Sequence, residues 1–249
     1  MRIVVIGGTG LIGSQVVTWL REHGHDVVPA SPGTGVNTVT GDGVREALRG
    51  TQVVVDVSNS PSFAADEVMA FFRTSTTTLI EAAKEAGVGH YVALSVVGTD
   101  RLPESGYFRA KVAQERLITD SGLPYSLVHA TQFFEFAGGI ADTSTQDSAV
   151  RLPGAGVRPV ASAEVAATVA RVAAGPPLDG TLEVAGPEEL GLDEWIRTVL
   201  AARSDPREVV TDPAAGYFGA PVRRDSLLPA PGAEIASTRL ADWLALDVR

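Results

Sequence analysis

In the first half of the chain, short runs of β-branched and aliphatic residues alternate with longer stretches whose apolar positions recur every three or four residues. The runs Arg2–Ile6, Asp26–Ala30, Val36–Thr40, Gln52–Val57, His90–Ser95 and Tyr125–His129 read as strands. Their almost unbroken apolar character is that of strands covered on both faces, as in a parallel sheet. Between them Leu11, Val16, Val17 and Leu20, and further on Val68, Phe71, Phe72, Leu79, Ile80 and Ala83, keep helical spacing and predict crossover helices facing that sheet. Gly87-Val88-Gly89 and Ser121-Gly122-Leu123-Pro124 close two of these helices and feed the next strands. The alternation predicts an α/β fold with a doubly wound parallel sheet.

After about Phe133 the elements shorten and Pro and Gly become frequent, as in Arg151-Leu152-Pro153-Gly154, Gly175-Pro176-Pro177 and Pro229-Ala230-Pro231-Gly232. A helix at Ala163–Ala174, a strand at Thr181–Val184, a helix at Leu192–Ala202 and a last helix near Thr238–Leu246 are expected there. With 249 residues and no internal repeat, residues 1–249 read as one domain in which residues from about 133 onward supply a small C-terminal lobe.

The strongest local signal is Gly7-Gly8-Thr9-Gly10-Leu11-Ile12-Gly13, which follows the first strand and opens the first helix. Gly8, Gly10 and Gly13 satisfy G-x-G-x-x-G, and Gly7, Gly10 and Gly13 satisfy G-x-x-G-x-x-G. Such a turn needs unusual dihedrals, a missing side chain where phosphate approaches, and close contact of helix with strand. The free N–H groups around Thr9, Gly10, Leu11, Ile12 and Gly13 then bind the pyrophosphate of a dinucleotide. A site made of backbone dipoles is compatible with the formal charge of −10, from thirty acidic and twenty basic residues, which disfavours nucleic acid and anionic lipid as partners.

Composition narrows the remaining choices. No cysteine is present, and the four histidines, His23, His25, His90 and His129, are scattered, so no metal site is expected. His23, His25 and His90 sit at element boundaries and read as surface residues, and His129 as a partly buried strand-end residue. Glu188-Glu189 and Asp193-Glu194 fall where a helix begins and complement its dipole. No apolar run approaches the roughly 20 residues of a membrane span, so a cytoplasmic protein is expected, with a small-molecule substrate as partner and a homodimer left open.

The residue closing the second strand usually distinguishes the two nicotinamide dinucleotides, a carboxylate holding the ribose diol of NAD and an arginine accepting the phosphate of NADP. Here Val27 to Gly41 contains neither an acidic nor a basic residue. Ser31, Thr34 and the backbone of Gly33 can donate to a 2′-phosphate and nothing repels it, so NADP(H) is favoured slightly over NAD(H).

These features, in this order, resemble the atypical short-chain dehydrogenase/reductases, in particular the NmrA-like NAD(P)-binding group. The resemblance covers nearly the whole chain. Besides the glycine turn it rests on Gly41-Asp42, Ala93-Leu94-Ser95-Val96-Val97-Gly98, Tyr107-Phe108-Arg109-Ala110-Lys111, Ser121-Gly122-Leu123-Pro124-Tyr125 and Ala185-Gly186-Pro187. It implies a Rossmann fold with a substrate-binding C-terminal lobe, and an Asp42, placed after the strand Val36–Thr40, that approaches the adenine. It also implies that the strand end Asp56-Val57-Ser58-Asn59-Ser60 lines the cofactor cleft, and that the stretch holding Gln132 passes near nicotinamide and substrate.

Tyr107 and Lys111 are four apart at the start of a predicted helix, which stacks them on one face, where the ammonium is expected to lower the phenol pKa. In the short-chain reductases the matching tyrosine donates a proton to the carbonyl oxygen, the lysine also holds the nicotinamide ribose, and a serine orients the substrate. Ser95 closes its strand at the carboxyl edge of the sheet and is the serine candidate, although only eleven residues lie between it and Tyr107. The catalytic candidates are therefore Ser95, Tyr107 and Lys111. The expected activity is NADP(H)-dependent hydride transfer to a small carbonyl or quinone-like substrate, and Phe133, Phe134, Phe136 and Tyr217 favour an apolar one. Two alternatives stand beside it: a dinucleotide-sensing regulator without turnover, and a redox-neutral epimerase. Tyr217, Phe218 and Trp243 are candidate substrate walls, with a core role the simpler expectation.

Overall fold

The computed structural model describes residues 1–247. Its framework consists of β1 (Arg2–Ile6), α1 (Leu11–Glu22), β2 (Asp26–Ala30), α2 (Val44–Leu48), β3 (Val53–Asp56), α3 (Ala65–Ala86), β4 (His90–Val96), α4 (Gly106–Thr119) and β5 (Tyr125–Ala130). The remainder comprises α5 (Ala137–Thr143), β6 (Thr145–Gln146), β7 (Ala149–Leu152), β8 (Gly156–Val157), α6 (Ser162–Ala174), β9 (Gly180–Ala185), β10 (Leu190–Gly191), α7 (Leu192–Ala202), β11 (Glu208–Thr211), β12 (Glu234–Ile235) and α8 (Leu240–Asp247). Seven strands form one parallel sheet in the order β2-β1-β3-β4-β5-β9-β12.

The sheet is buried on both sides, as the unbroken apolar runs require. Ile3 and Val5 of β1 join a cluster with Val16 and Leu20 of α1 and Val165 and Val169 of α6. Val4 and Ile6 point the other way, into a cluster with Leu48 of α2 and Leu79 and Ala83 of α3. The two-residue period of a strand thus places alternate residues in two different cores. A third core, around Phe134, Leu152, Trp195 and Trp243, belongs to the lobe made by α5, β7, α7, β11 and α8. Beyond Phe133 the chain also returns to the large sheet through α6 and β9.

Two expectations fail. Val36–Thr40 is not a strand, and β2 is the sheet's edge. The Asn37 side chain accepts from the amides of Val39 and Thr40 at 2.9 and 3.3 Å, and Gly41 at φ +84° donates back to the Asn37 carbonyl. Local hydrogen bonding to an asparagine thus outcompetes sheet pairing. Asp42 accordingly follows a turn rather than a strand, and its carboxylate accepts from Thr40 Oγ1 at 2.6 Å. The exposed edge of β2 is blunted by Pro29 and by Arg21, which caps the Val27 carbonyl at 2.9 Å. His90 is not a surface residue: it is buried, its Nε2 lies 2.8 Å from Ser126 Oγ, and burial lowers its pKa.

Candidate functional site

The chain leaves β1 toward β2 on one side and resumes at β3 on the other, so the sheet's winding reverses between β1 and β3. Ligands of open α/β sheets bind at the carboxyl ends of strands at such a switch point. The glycine turn and the segment Val57–Asn59 meet there: a Cβ on Gly7, whose φ is +78°, would lie 3.0 Å from the Ser58 backbone. Gly7 and Gly8 both donate to the Ala30 carbonyl and Gly10 donates to Gly7, which closes the turn. Helix α1 has no side-chain cap, and its first intrahelical bond runs from Ser14 to Gly10. The amides of Leu11 and Ile12 come before that bond and point out of the helix start.

Three features of this edge fit a dinucleotide. A Cβ on Gly10 would have only the Gly7 oxygen, at 3.4 Å, within 4 Å, so Gly10 leaves open the approach to the helix start. Ser31 Oγ, at the end of β2, is buried and unpaired. Both amide atoms of Gln132, just after β5, are buried without a hydrogen bond of ordinary geometry. Thr34 serves the loop itself, its Oγ1 accepting from the Ser31 amide at 2.9 Å. The polar groups left over at the ends of β2 and β5 are those a bound ribose phosphate and nicotinamide would satisfy.

Helix α4 starts at a genuine cap, Ser105, which accepts from the Phe108 amide. Its Tyr107 and Lys111 share a face, but they do not form the expected pair. Lys111 is 2% exposed; its Nζ donates to the Leu94 carbonyl at 3.0 Å and to Gln114, and sits 4.4 Å over the Phe72 ring. Burial lowers its pKa to about 8, against the opposing pull of Asp56 and Glu115. The Tyr107 hydroxyl donates instead to Asn59 Oδ1 at 3.4 Å. Its pKa is not lowered: burial pushes it up to about 12, with the Asn59 bond working the other way. Tyr107 is therefore a neutral phenol across the ordinary pH range.

Ser95 Oγ donates to Glu115 of α4. Burial alone would raise the Glu115 carboxyl, but His129, whose Nε2 lies 3.2 Å away, together with Ser95 and Lys111, holds it below the usual carboxylate range. Ser95, Tyr107 and Lys111 thus lie at one sheet edge, each engaged with a different partner. Of those partners the sequence offers Asn59, as a cleft-lining residue, but not Glu115 or Gln114. Asp56 is fully buried; its Oδ1 accepts from the Ser58 amide and hydroxyl at 3.1 and 2.6 Å, and its Oδ2 from Gln114 and Tyr91 at 3.1 and 3.3 Å. Phe63 was the other omission: it packs on the Tyr107 ring beside Phe218, which the sequence offers as a candidate wall. Trp243 lies in the lobe's core against Phe134. Among the described residues there is no acidic or histidine cluster that could hold a metal, and no helix long and apolar enough to cross a membrane.

Fold and edge together define a dinucleotide-binding protein of the doubly wound class. A sequence model of the NAD(P)H-binding family matches residues 7–176, so the chain belongs to that family, in keeping with its resemblance to the atypical short-chain dehydrogenase/reductases. Curated relatives include the photosystem II assembly factor Ycf39 of Cyanophora paradoxa, 26% identical over 149 residues, covering 54% of this chain and 46% of that one. The decarboxylating sterol-4-alpha-carboxylate 3-dehydrogenase of Mus musculus is 28% identical over 152 residues, covering 49% and 42%. The match thus spans less than half the length of these relatives. Among solved structures, MoeE5 in complex with UDP-glucose and NAD is similar at TM-score 0.76 and 20% identity, covering 100% of this chain and 97% of that one. The dTDP-4-dehydrorhamnose reductase of Bacillus anthracis in complex with NADP is similar at TM-score 0.68 and 14% identity, covering 90% and 89%. At these identities the structures show the shared fold.

Proposed function

We propose that the protein is an NADP(H)-dependent oxidoreductase that reduces a small, apolar carbonyl or quinone-like compound, with residues from about 133 onward covering the substrate. The observation that carries this reading is the uncapped turn at Gly7 to Gly13, open at Gly10 and flanked by the unpaired Ser31 Oγ and by the buried Gln132 amide beside Tyr217. Leu11, Ile12 and Gly13 would hold the pyrophosphate, Ser31 and Thr34 the adenine ribose end with Asp42 nearby, and Val57, Ser58, Asn59 and Gln132 the nicotinamide side. The absence of a carboxylate from Val27 to Gly41 favours the 2′-phosphate.

When bound, the reduced nicotinamide supplies hydride to the carbonyl carbon. Tyr107, neutral by virtue of its raised pKa, then gives its proton to the carbonyl oxygen. Lys111 acts by fixing α4, which bears Tyr107, to the Leu94 carbonyl. Ser95 orients the substrate from a hydroxyl anchored on Glu115. The separation of Lys111 from Tyr107 also supports a second reading, a dinucleotide sensor without turnover.

The test is titration with NADPH and NADH followed by NADPH oxidation across a panel of ketones, aldehydes and quinones, on wild type and Tyr107→Phe. Tighter NADPH binding is expected, with turnover that the variant loses while it keeps the cofactor. Clearly tighter NADH binding would sink the cofactor preference, full turnover by Tyr107→Phe would remove the phenol from the mechanism, and cofactor binding without turnover on any substrate would favour the sensor.

A further inference from the structure

The rings of Phe63, Tyr107 and Phe218 form a closed triangle, with centroids 5.5 Å apart from Phe63 to Tyr107, 5.2 Å from Tyr107 to Phe218 and 5.4 Å from Phe63 to Phe218. Phe218 lies nearly parallel to the phenol, at 23°. The three residues come from separate parts of the chain: the segment between β3 and α3, the start of α4, and the segment after β11. Packing alone does not explain the two phenylalanines, because Phe63 is 52% and Phe218 40% exposed.

Phe218 also sits where the backbone disfavours it. Tyr217 and Ala220 exchange both backbone hydrogen bonds, which makes Phe218-Gly219 the centre of a two-residue hairpin turn. Both central residues have positive φ, +48° and +77°, the arrangement in which Asn-Gly is preferred. A bulky residue in the left-handed region is strained, and such strain persists where the surroundings or a function demand it. Here the strained turn holds an aromatic ring, 40% exposed, over the Tyr107 phenol. The hairpin is anchored through Tyr217, which is buried in the lobe's core and faces both Tyr107 and Gln132.

We infer that Phe63 and Phe218 are specificity-determining residues that select a planar, ring-bearing carbonyl or quinone. The Phe218 turn is the movable wall that admits this ring between itself and Tyr107. The inference rests on the reading of Tyr107 as proton donor. A flat ring entering beside the phenol exchanges the Phe218–Tyr107 stack for two new ring contacts and gains most from them when it is itself aromatic. A saturated ring of equal size fills the same space without that gain.

The experiment compares, by calorimetry in the presence of NADPH, the binding of 2-naphthol and its saturated counterpart decahydro-2-naphthol to wild type, Phe218→Asn and Phe63→Ala. Wild type should prefer the flat ring by about tenfold, the sum of two modest aromatic contacts. Phe218→Asn, which removes one of the two contacts, should reduce that ratio to about threefold, and Phe63→Ala, which removes the ring that supports both, should lower it below the wild-type value, each with NADPH affinity unchanged. Phe218→Asn should melt no lower than wild type, because asparagine suits the turn. A wild-type ratio near one, or ratios that survive in both variants, would overturn the inference. A ratio that falls as expected in a protein that oxidises NADPH with no carbonyl would uphold the clamp and remove the reductase reading. Turnover with unaltered ring selectivity would do the reverse.

Discussion

The glycines of the turn separate by what a methyl group would meet, and that separation gives a quantitative test of where the pyrophosphate lies. A Cβ on Gly13 would fall well inside contact distance of the Gly7 carbonyl oxygen and 2.7 Å from Gly8 Cα, both backbone atoms. A Cβ on Gly10 meets only the Gly7 oxygen, at 3.4 Å, and the Gly10 backbone at φ −83° and ψ −177° suits any residue. Gly13→Ala should therefore cost about 3 kcal/mol, the upper end of ordinary overpacking. For a chain of 249 residues that lowers the melting temperature by about 6–12 °C. Gly10→Ala loses a favourable helix-start residue but restricts the unfolded chain, and these effects nearly cancel, leaving stability within about 1 kcal/mol of wild type.

Cofactor binding should respond differently. The methyl of Gly10→Ala would occupy the open space at the helix start, and if it displaces a phosphate from one charge-assisted hydrogen bond the loss is about 1.5–3 kcal/mol, or about 10- to 150-fold in affinity. Thermal melts paired with fluorescence titration of NADPH read both quantities on the same samples. Gly10→Ala that binds NADPH as wild type does would place the pyrophosphate elsewhere. A Gly13→Ala protein melting within 1 °C of wild type would refute the packing argument.

Two further predictions concern buried charges. Burial holds Lys111 at about 8 against the ordinary 10.5, so between those values the unfolded chain keeps a proton that the folded chain has lost, and this group's share of stability rises with pH. The difference in unfolding free energy between wild type and Lys111→Met, from urea titrations, should grow in favour of wild type from pH 8 to 10.5, and a flat difference would show that the ammonium is not desolvated as described. Glu115 has the opposite sign: held below its ordinary 4.5, it should favour wild type over Glu115→Gln fully above pH 4.5 and progressively less as pH falls through its folded value. A difference independent of pH in acid urea titrations would mean that His129 and Ser95 do not stabilise the carboxylate.

The framework was legible because its signals are local. β1, β2, β4, β5, α1, α6 and α7 fall within a residue or two of the positions their periodicity predicts. Val36–Thr40 misled because its β-branched residues match a strand, whereas one asparagine and two positive-φ glycines decide its path. The strands of two to four residues beyond Phe133 carry too little pattern to be seen, and exist because α7 and the lobe's core hold them together. Spacing on α4 placed Tyr107 and Lys111 on one face. Where a long side chain ends is a tertiary matter, and the Leu94 carbonyl and Gln114 draw Lys111 away from the phenol.

The glycine turn and helix α4 are joined by a chain of contacts that no short motif encodes. Gly7 rests against the Ser58 backbone, and Ser58 donates twice to Asp56. Asp56 accepts from Gln114, 58 residues away, Gln114 accepts from Lys111, and Lys111 donates to the Leu94 carbonyl. Every polar link is buried or partly buried, so losing one leaves its neighbour with an unsatisfied group rather than a hydrated one. Asp56 and Lys111 are bridged by a neutral amide, and Asp56 offsets part of the cost of burying the Lys111 ammonium without the two meeting directly. The consequence for function is mechanical. The wall of the candidate pyrophosphate site and the helix bearing Tyr107 are fixed to a common set of buried partners.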